Sequence, residues 1–252
     1  MATAHLIVEK GARPVTHTEL EKIEPPPATE SWKPTKHSDI LTTVCDGMEA
    51  AGFHVTNVQA VIARGDHRLF ATVDTATNLN GGSVTLAAAI INSTDRSLPM
   101  KFVAGNRVLV CCNLALRSDL MAPVRKKHTK NGLESFVAAL ARAITSLDHF
   151  AQVERVRIKR FHDMLITDME AESIMLRAYE KGIVSHRLMD ELIGSWRHPQ
   201  FPEFEPRTLW SLENCFTGVL TAVQKSNPQR FCVQSLSLQS LLSEVAGPTV
   251  SL

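Results

Sequence analysis

The chain has 252 residues and a formal net charge of +1 at pH 7, with 44% hydrophobic, 21% charged and 6% aromatic residues. That length suits one large domain, or a core with appendages, and the composition excludes a wholly disordered or fibrous chain. So few rings also argue against a protein that holds single strands chiefly by stacking bases on exposed aromatic side chains.

Residues 1–37 read as an extended, proline-rich arm, because IEPPPATESWKPTKH sets three consecutive prolines and Pro34 among charges. Residues 38–252 read as one α+β domain. Ser38-Asp39 starts a helix in which Ile40, Val44 and Met48 share a face, and Gly52 ends it. HVTNVQAVIARGDHRLFATVDTAT then predicts a hairpin turning at Gly65-Asp66. SVTLAAAIINSTDRS gives a third strand ending in a polar turn from Asn92 to Ser97, and KFVAGNRVLVCCNLALRS a fourth, with a turn expected at Gly105-Asn106. Strand following strand implies antiparallel pairing.

The period then changes. Phe136, Leu140, Ile144, Leu147, then Phe150 or Ala151, and Val153 mark a buried helical stripe, continuing through RVRIKRFHDML as one long helix or two with a bend. Asn131 with Glu134 reads as a variant capping box. DMEAESIMLRAYEKG, SHRLMDELIGSW behind a capping Ser185, TLWSLENCFTGVLTAVQKS and a short SLQSLLSEVAG supply the remaining helices. The expected fold is an antiparallel sheet from the first half packed against helices from the second.

Charge is unevenly placed. From Lys101 to Arg160 twelve basic residues face four acidic ones, a local +8 in a chain of +1 overall. VRKKHTKNGLESF concentrates this, with Arg125, Lys126, Lys127, His128 and Lys130 just ahead of a helix. Arg117, Arg155, Arg157, Lys159 and Arg160 extend it. Lys and Arg neutralise phosphates and release counterions without reading bases, so these ten residues are the candidate nucleic-acid-binding set. The alternative is a solvated loop before a helix.

Five cysteines, an odd number with no CxxC spacing, indicate neither zinc nor a disulfide framework. No HExxH, glycine-rich phosphate loop or serine nucleophile elbow is present, so no catalytic residue, metal or cofactor is expected. The opening MATAHLIVEKGARP lacks an apolar stretch behind a basic end, and no apolar run reaches about 18 residues. A cytoplasmic protein without a membrane partner is the expectation.

Three stretches, AIINSTDRSLPMKF, NRVLVCCNLALRSD with KKHT behind it, and LWSLENCFTGVLTAVQK, resemble the phage/plasmid-like family, a domain of unknown function found on prophages and plasmids. Asn92, Ser93, Asp95 and Ser97 fit its first motif, with Arg96 where Gly is usual. Arg107, Val110, Cys111 and Asn113 fit the second, with Leu114 replacing Gly. His128 and Thr129 fit a basic motif. Trp210, Asn214 and Thr217 fit the last, with Cys215 and Gly218 in place of Ala and Glu. The resemblance implies a mobile-element context and brings Asn92, Asp95, Arg107 and Asn113 forward as a polar site, although Asn92 to Asp95 also read simply as a turn. Trp210, Asn214 and Thr217 share one helix face and are expected to dock it on the sheet.

The leading expectation is a nonenzymatic nucleic-acid-binding accessory protein of a mobile element, contacting DNA or RNA backbone. The alternative is a protein-interaction module, an inhibitor of host defence or an assembly subunit, with a protein partner. A homo-oligomer is a further candidate, and an enzyme with an unrecognised site ranks third.

Overall fold

The computed structural model describes residues 12–109, 114–116 and 124–247. In them an antiparallel sheet from the first half packs against helices from the second. The strands are β1 (Arg13–Val15), β2 (Val55–Ala63), β3 (Arg68–Asn78), β4 (Val84–Ser93), β5 (Met100–Val108), β6 (Leu114–Leu116) and β7 (Val124–Lys126). β1 to β6 follow one another across the sheet. β4 covers one edge of β5 along its length, leaving β6 to pair with Gly105–Arg107 and β7 with Met100–Phe102.

The meander follows from local turn chemistry. Between β2 and β3, Arg64, Gly65 and Asp66 all adopt positive φ, so the expected Gly65-Asp66 turn forms. Between β3 and β4, Asn78 Oδ1 accepts the Asn80 and Gly81 N–H groups, and Asn80 Oδ1 accepts those of Ser83 and Val84. Between β4 and β5, Asp95 Oδ1 accepts from the Ser97 N–H. Arg96 there has φ +65°, a conformation that favours glycine. Its guanidinium lies 4.7 Å over the Trp32 ring, a contact glycine could not make.

No turn forms at Gly105-Asn106. Pairing with β4 runs unbroken from Ile91↔Lys101 to Val84↔Val108 and keeps β5 extended through both residues. Gly105 has a different role: the Ala115 carbonyl lies so close over its face that a Cβ would collide with backbone. Every residue of β4 is buried, so both faces of the sheet are covered at its centre.

The helices are α1 (His17–Glu21), α2 (His37–Ala50), α3 (Gly132–Thr145), α4 (Leu147–Asp163), α5 (Asp168–Glu180), α6 (His186–Arg197), α7 (Leu209–Ser226) and α8 (Pro228–Ala246), with a 3₁₀ turn at Pro202–Phe204. α2 lays Ile40, Leu41, Val44 and Met48 on β2 to β4. The long helical stripe divides at Ser146 into α3 and α4. Asn131 does not cap α3: its backbone is not in the extended conformation that aims a capping side chain, and that side chain makes no cap hydrogen bond. A reciprocal box instead opens α5, where Thr167 bonds the Glu170 N–H and Glu170 bonds the Thr167 N–H. α8 is longer than expected, because Asn227 accepts from the Arg230 N–H and Pro228 occupies the first helical position.

The proline-rich arm is docked. β1 pairs with β2 and α1 buries Leu20. Further on, the Lys33 N–H donates to the His128 carbonyl and the Asn92 amide donates to the Thr35 carbonyl.

Candidate functional site

The basic loop joins β7 to α3. Arg125 is exposed on β7, directly across from Lys101 of β5, while Lys126 alternates to the other side and is half-buried. Lys127 and Lys130 are exposed. Among the described residues none of Arg125, Lys126, Lys127 and Lys130 forms an ion pair with a carboxylate. The loop lies tight against the start of the helix: the Lys127 carbonyl packs where a Cβ on Gly132 would stand, and the Gly132 N–H donates to the Thr129 carbonyl at 2.9 Å.

His128 belongs to this loop in sequence but not to its surface. It is buried, and its Nδ1 accepts the Thr35 N–H at 3.3 Å. Burial holds its pKa below the usual histidine value. His128 is therefore an anchor for the arm, and the arm in return sets exposed Lys33 beside the loop. Lys33 went unnoticed because its neighbourhood is made by a contact across 95 positions of chain.

The cations of α4 scatter. Arg155 is exposed, donates from Nε to the Asn78 carbonyl at 3.1 Å, and with Lys159 and His162 lines a cleft facing Asn80 and Ser83 of the β3–β4 hairpin. Lys159 pairs with Asp163. Arg160 donates to the Ala246 and Gly247 carbonyls at the end of α8, where a cation complements the helix terminus. Arg117 lies outside the described residues. The β7 group and the Arg155 group sit near opposite ends of β5, which from Met100 to Val108 spans about 26 Å at roughly 3.3 Å per residue.

Arg157 is not a surface cation at all. It is buried between two buried carboxylates, with Nε 3.0 Å from each oxygen of Glu154 and Nη1 2.9 Å from Glu213. Asn106 of β5 donates to Glu154 at 2.6 Å, Gln239 of α8 donates to Glu213 at 2.8 Å, and the Phe161 ring lies 4.5 Å under the guanidinium. Burial opposes the charge of Arg157, and the Glu154 and Glu213 carboxylates outweigh it, so its pKa is raised. This network ties β5, α4, α7 and α8 together. Its signal was present in the sequence: Phe150, Glu154, Arg157 and Phe161 recur at i, i+4, i+7 and i+11, a buried face.

Asn92, Asp95 and Arg107 do not meet in one site. Asn92 is buried and donates to the Thr35 carbonyl and, at 2.9 Å, to Nδ1 of His37. Asp95 organises its turn and lies 3.7 Å from Arg68. Arg107 pairs with Asp74 of β3, which also accepts from Asn57 at 3.0 Å. Across the sheet Arg107 faces Thr85, seven positions from Asn92 along β4 and so on the other face. Asn113 lies outside the described residues.

Trp210, Asn214 and Thr217 are buried as expected, but Trp210 meets α4 rather than the sheet. Trp210 stacks on His162 with centroids 4.8 Å apart, and Asn214 donates to its own helix at the Trp210 carbonyl. Burial lowers the pKa of His162, with Asp163 and Glu213 opposing.

A family model described as Domain of unknown function (DUF932) matches residues 28–241. The chain belongs to the DUF932 family. No curated protein and no solved structure matches it. Within this DUF932 chain the match begins in the docked arm, ahead of Trp32 and Thr35, and ends near the close of α8. No helix among the described residues is long and apolar enough to cross a membrane.

Proposed function

We propose that this DUF932 chain is a nonenzymatic nucleic-acid-binding accessory protein of a mobile genetic element, gripping phosphates without reading sequence through the loop between β7 and α3. One observation carries the reading: four cations within six residues, Arg125, Lys126, Lys127 and Lys130, have no carboxylate partner among the described residues and are held on a frame fixed by Gly132 and His128. Lys33 and Lys101 add charge beside them. Lys101 is half-buried, and burial, with Arg125 adding, draws its pKa down despite an opposing effect of Cys232. An anion docking there would favour the charged form of Lys101 and offset the nearby charge of Arg125. The mobile-element setting rests on the motif resemblance around Asn92, Arg107 and His128.

The proposal is narrower than the ten-residue surface expected from sequence, because Arg157, Arg160 and Lys159 already have partners within the fold. A second reading has its own support: cations on a short edge strand such as β7 also discourage strand addition by another chain, and an exposed apolar face on α5 suits a protein partner. Fluorescence anisotropy with random-sequence single-stranded DNA, duplex DNA and RNA separates the two. The first reading predicts binding at low salt that is lost when Arg125, Lys126, Lys127 and Lys130 are all replaced by Ala. Absence of binding to all three polymers at low salt refutes it.

A further inference from the structure

A cleft separates α4 from the turn between β3 and β4. Arg155, Lys159, His162 and Asp163 wall it on the helix side, Asn80 and Ser83 on the turn side, and buried Leu79 and Ile158 form an apolar floor. Its volume of about 610 Å³ falls within the roughly 300–1,000 Å³ of small-molecule sites. Arg155, Lys159 and His162 stand at i, i+4 and i+7, so one face of α4 presents all three to the cleft. A low-dielectric floor strengthens the field of the charges above it.

The donors are held in place without being used up. Arg155 Nε is anchored on the Asn78 carbonyl at 3.1 Å, and among the described residues its two Nη groups have no hydrogen-bond partner. His162 is steadied by stacking on Trp210, and neither of its ring nitrogens has a hydrogen-bond partner among the described residues. The Asn80 amide gives one hydrogen to Ser83 Oγ at 2.8 Å and keeps the other. Lys159 does pair with Asp163, but the two side chains are 78% and 63% exposed, and so exposed a pair is too weak to keep Lys159 from a ligand that Arg155 also holds.

Apart from Asp163, every open group is a donor, and two fixed positive charges face one carboxylate. The chemistry that fits is an anion. Donors on three side chains outnumber the two oxygens of a carboxylate, whereas a phosphate monoester brings three oxygens and a charge of about −1.5 to −2 at pH 7.

We propose that this cleft binds the phosphate group of a small phosphate monoester, with the Arg155 Nη groups and Lys159 on its oxygens and His162 donating an N–H. Asp163 works against the ligand, because it repels the anion and competes for Lys159. The inference is independent of the phosphate-gripping loop between β7 and α3, which lies near the other end of β5.

Isothermal titration calorimetry of the full chain with inorganic phosphate, adenosine monophosphate and adenosine, each to about 10 mM, tests it. The chain with Ala at Arg125, Lys126, Lys127 and Lys130 is titrated alongside, so that phosphate held by the loop is told apart from phosphate held by the cleft. The expected result is binding of at least one phosphate-bearing ligand and none of adenosine, retained in the fourfold Ala chain and weakened at least about tenfold by Arg155→Ala. Asp163→Asn tightens binding by about threefold or more, since it removes the opposing charge and releases Lys159, and a damaged fold would not produce such a gain. Absence of binding by both phosphate-bearing ligands overturns the proposal, as does adenosine binding as tightly as its monophosphate. Binding that disappears in the fourfold Ala chain assigns the phosphate to the loop and overturns the cleft alone. An affinity unmoved by both Arg155→Ala and Asp163→Asn overturns it equally.

Discussion

Replacing Arg157 by Met removes a buried cation and leaves the carboxylates of Glu154 and Glu213, both nearly inaccessible to solvent, without their shared counter-charge. Asn106 and Gln239 would still donate one hydrogen bond to each, but neutral amides cannot balance two buried negative charges. Breaking a buried pair by removing one partner costs about 3–5 kcal/mol, and the lost stacking on Phe161 adds a fraction of that. The expected loss is therefore about 4 kcal/mol, a large part of the roughly 5–15 kcal/mol that holds a domain folded. Urea titration followed by circular dichroism measures it as a fall in midpoint at constant slope. The triple variant Arg157→Met, Glu154→Gln, Glu213→Gln buries no charge and should recover at least half of that loss. A loss below about 1 kcal/mol for Arg157→Met, or a triple variant no more stable than the single one, refutes the view of the network as a charge-balanced pin.

Three further outcomes are expected. Burial, with His128 and His67 nearby and the Asp66 carbonyl and carboxylate opposing, lowers the pKa of His37 to about 4. The unfolded chain takes up that proton first, so stability is full above about pH 6.5 and declines as pH falls toward 4, by about 2 kcal/mol at pH 5; the decline should flatten in His37→Leu, and an unchanged pH profile would contradict the assignment. Gly105→Ala drives a Cβ into the Ala115 carbonyl and should cost about 1–3 kcal/mol in the same urea assay, whereas a neutral effect would mean β6 is not held against β5 as described. Thr167→Ala should cost about 1 kcal/mol, and adding Glu170→Ala should cost little more, because the two side chains form one reciprocal cap; full additivity of the two losses would argue against the box.

The sheet was legible because its strands carry β-branched and apolar residues between turns whose residues act locally, as Gly65, Asn78, Asn80 and Asp95 do. The same local logic misled at Gly105-Asn106, where a glycine that admits a neighbouring backbone looks like one that makes a turn. The expectation of a short last helix beginning at Ser237 likewise fell short, because Asn227 and Pro228 already serve as the cap and first residue of α8. The site was harder for a different reason. Charge density along the chain counted Arg157 with Arg155 and Lys159, yet burial separates them by orientation on one helix: Arg157 faces α7 and the other two face solvent. What the sequence could not supply was pairing between distant parts, such as Thr35 with His128 or Asn106 with Glu154, and those contacts decide which cations stay available.

The slope of binding affinity against salt tests the phosphate-gripping loop most directly. Four contacts to a single strand predict that the logarithm of the association constant falls by about 2.8 per tenfold rise in salt, a loss of about 50-fold between 50 and 200 mM, and that the slope collapses when Arg125, Lys126, Lys127 and Lys130 become Ala. An equal slope in the parent and the fourfold Ala variant would contradict the account, since the charge meeting the polyanion would then lie elsewhere.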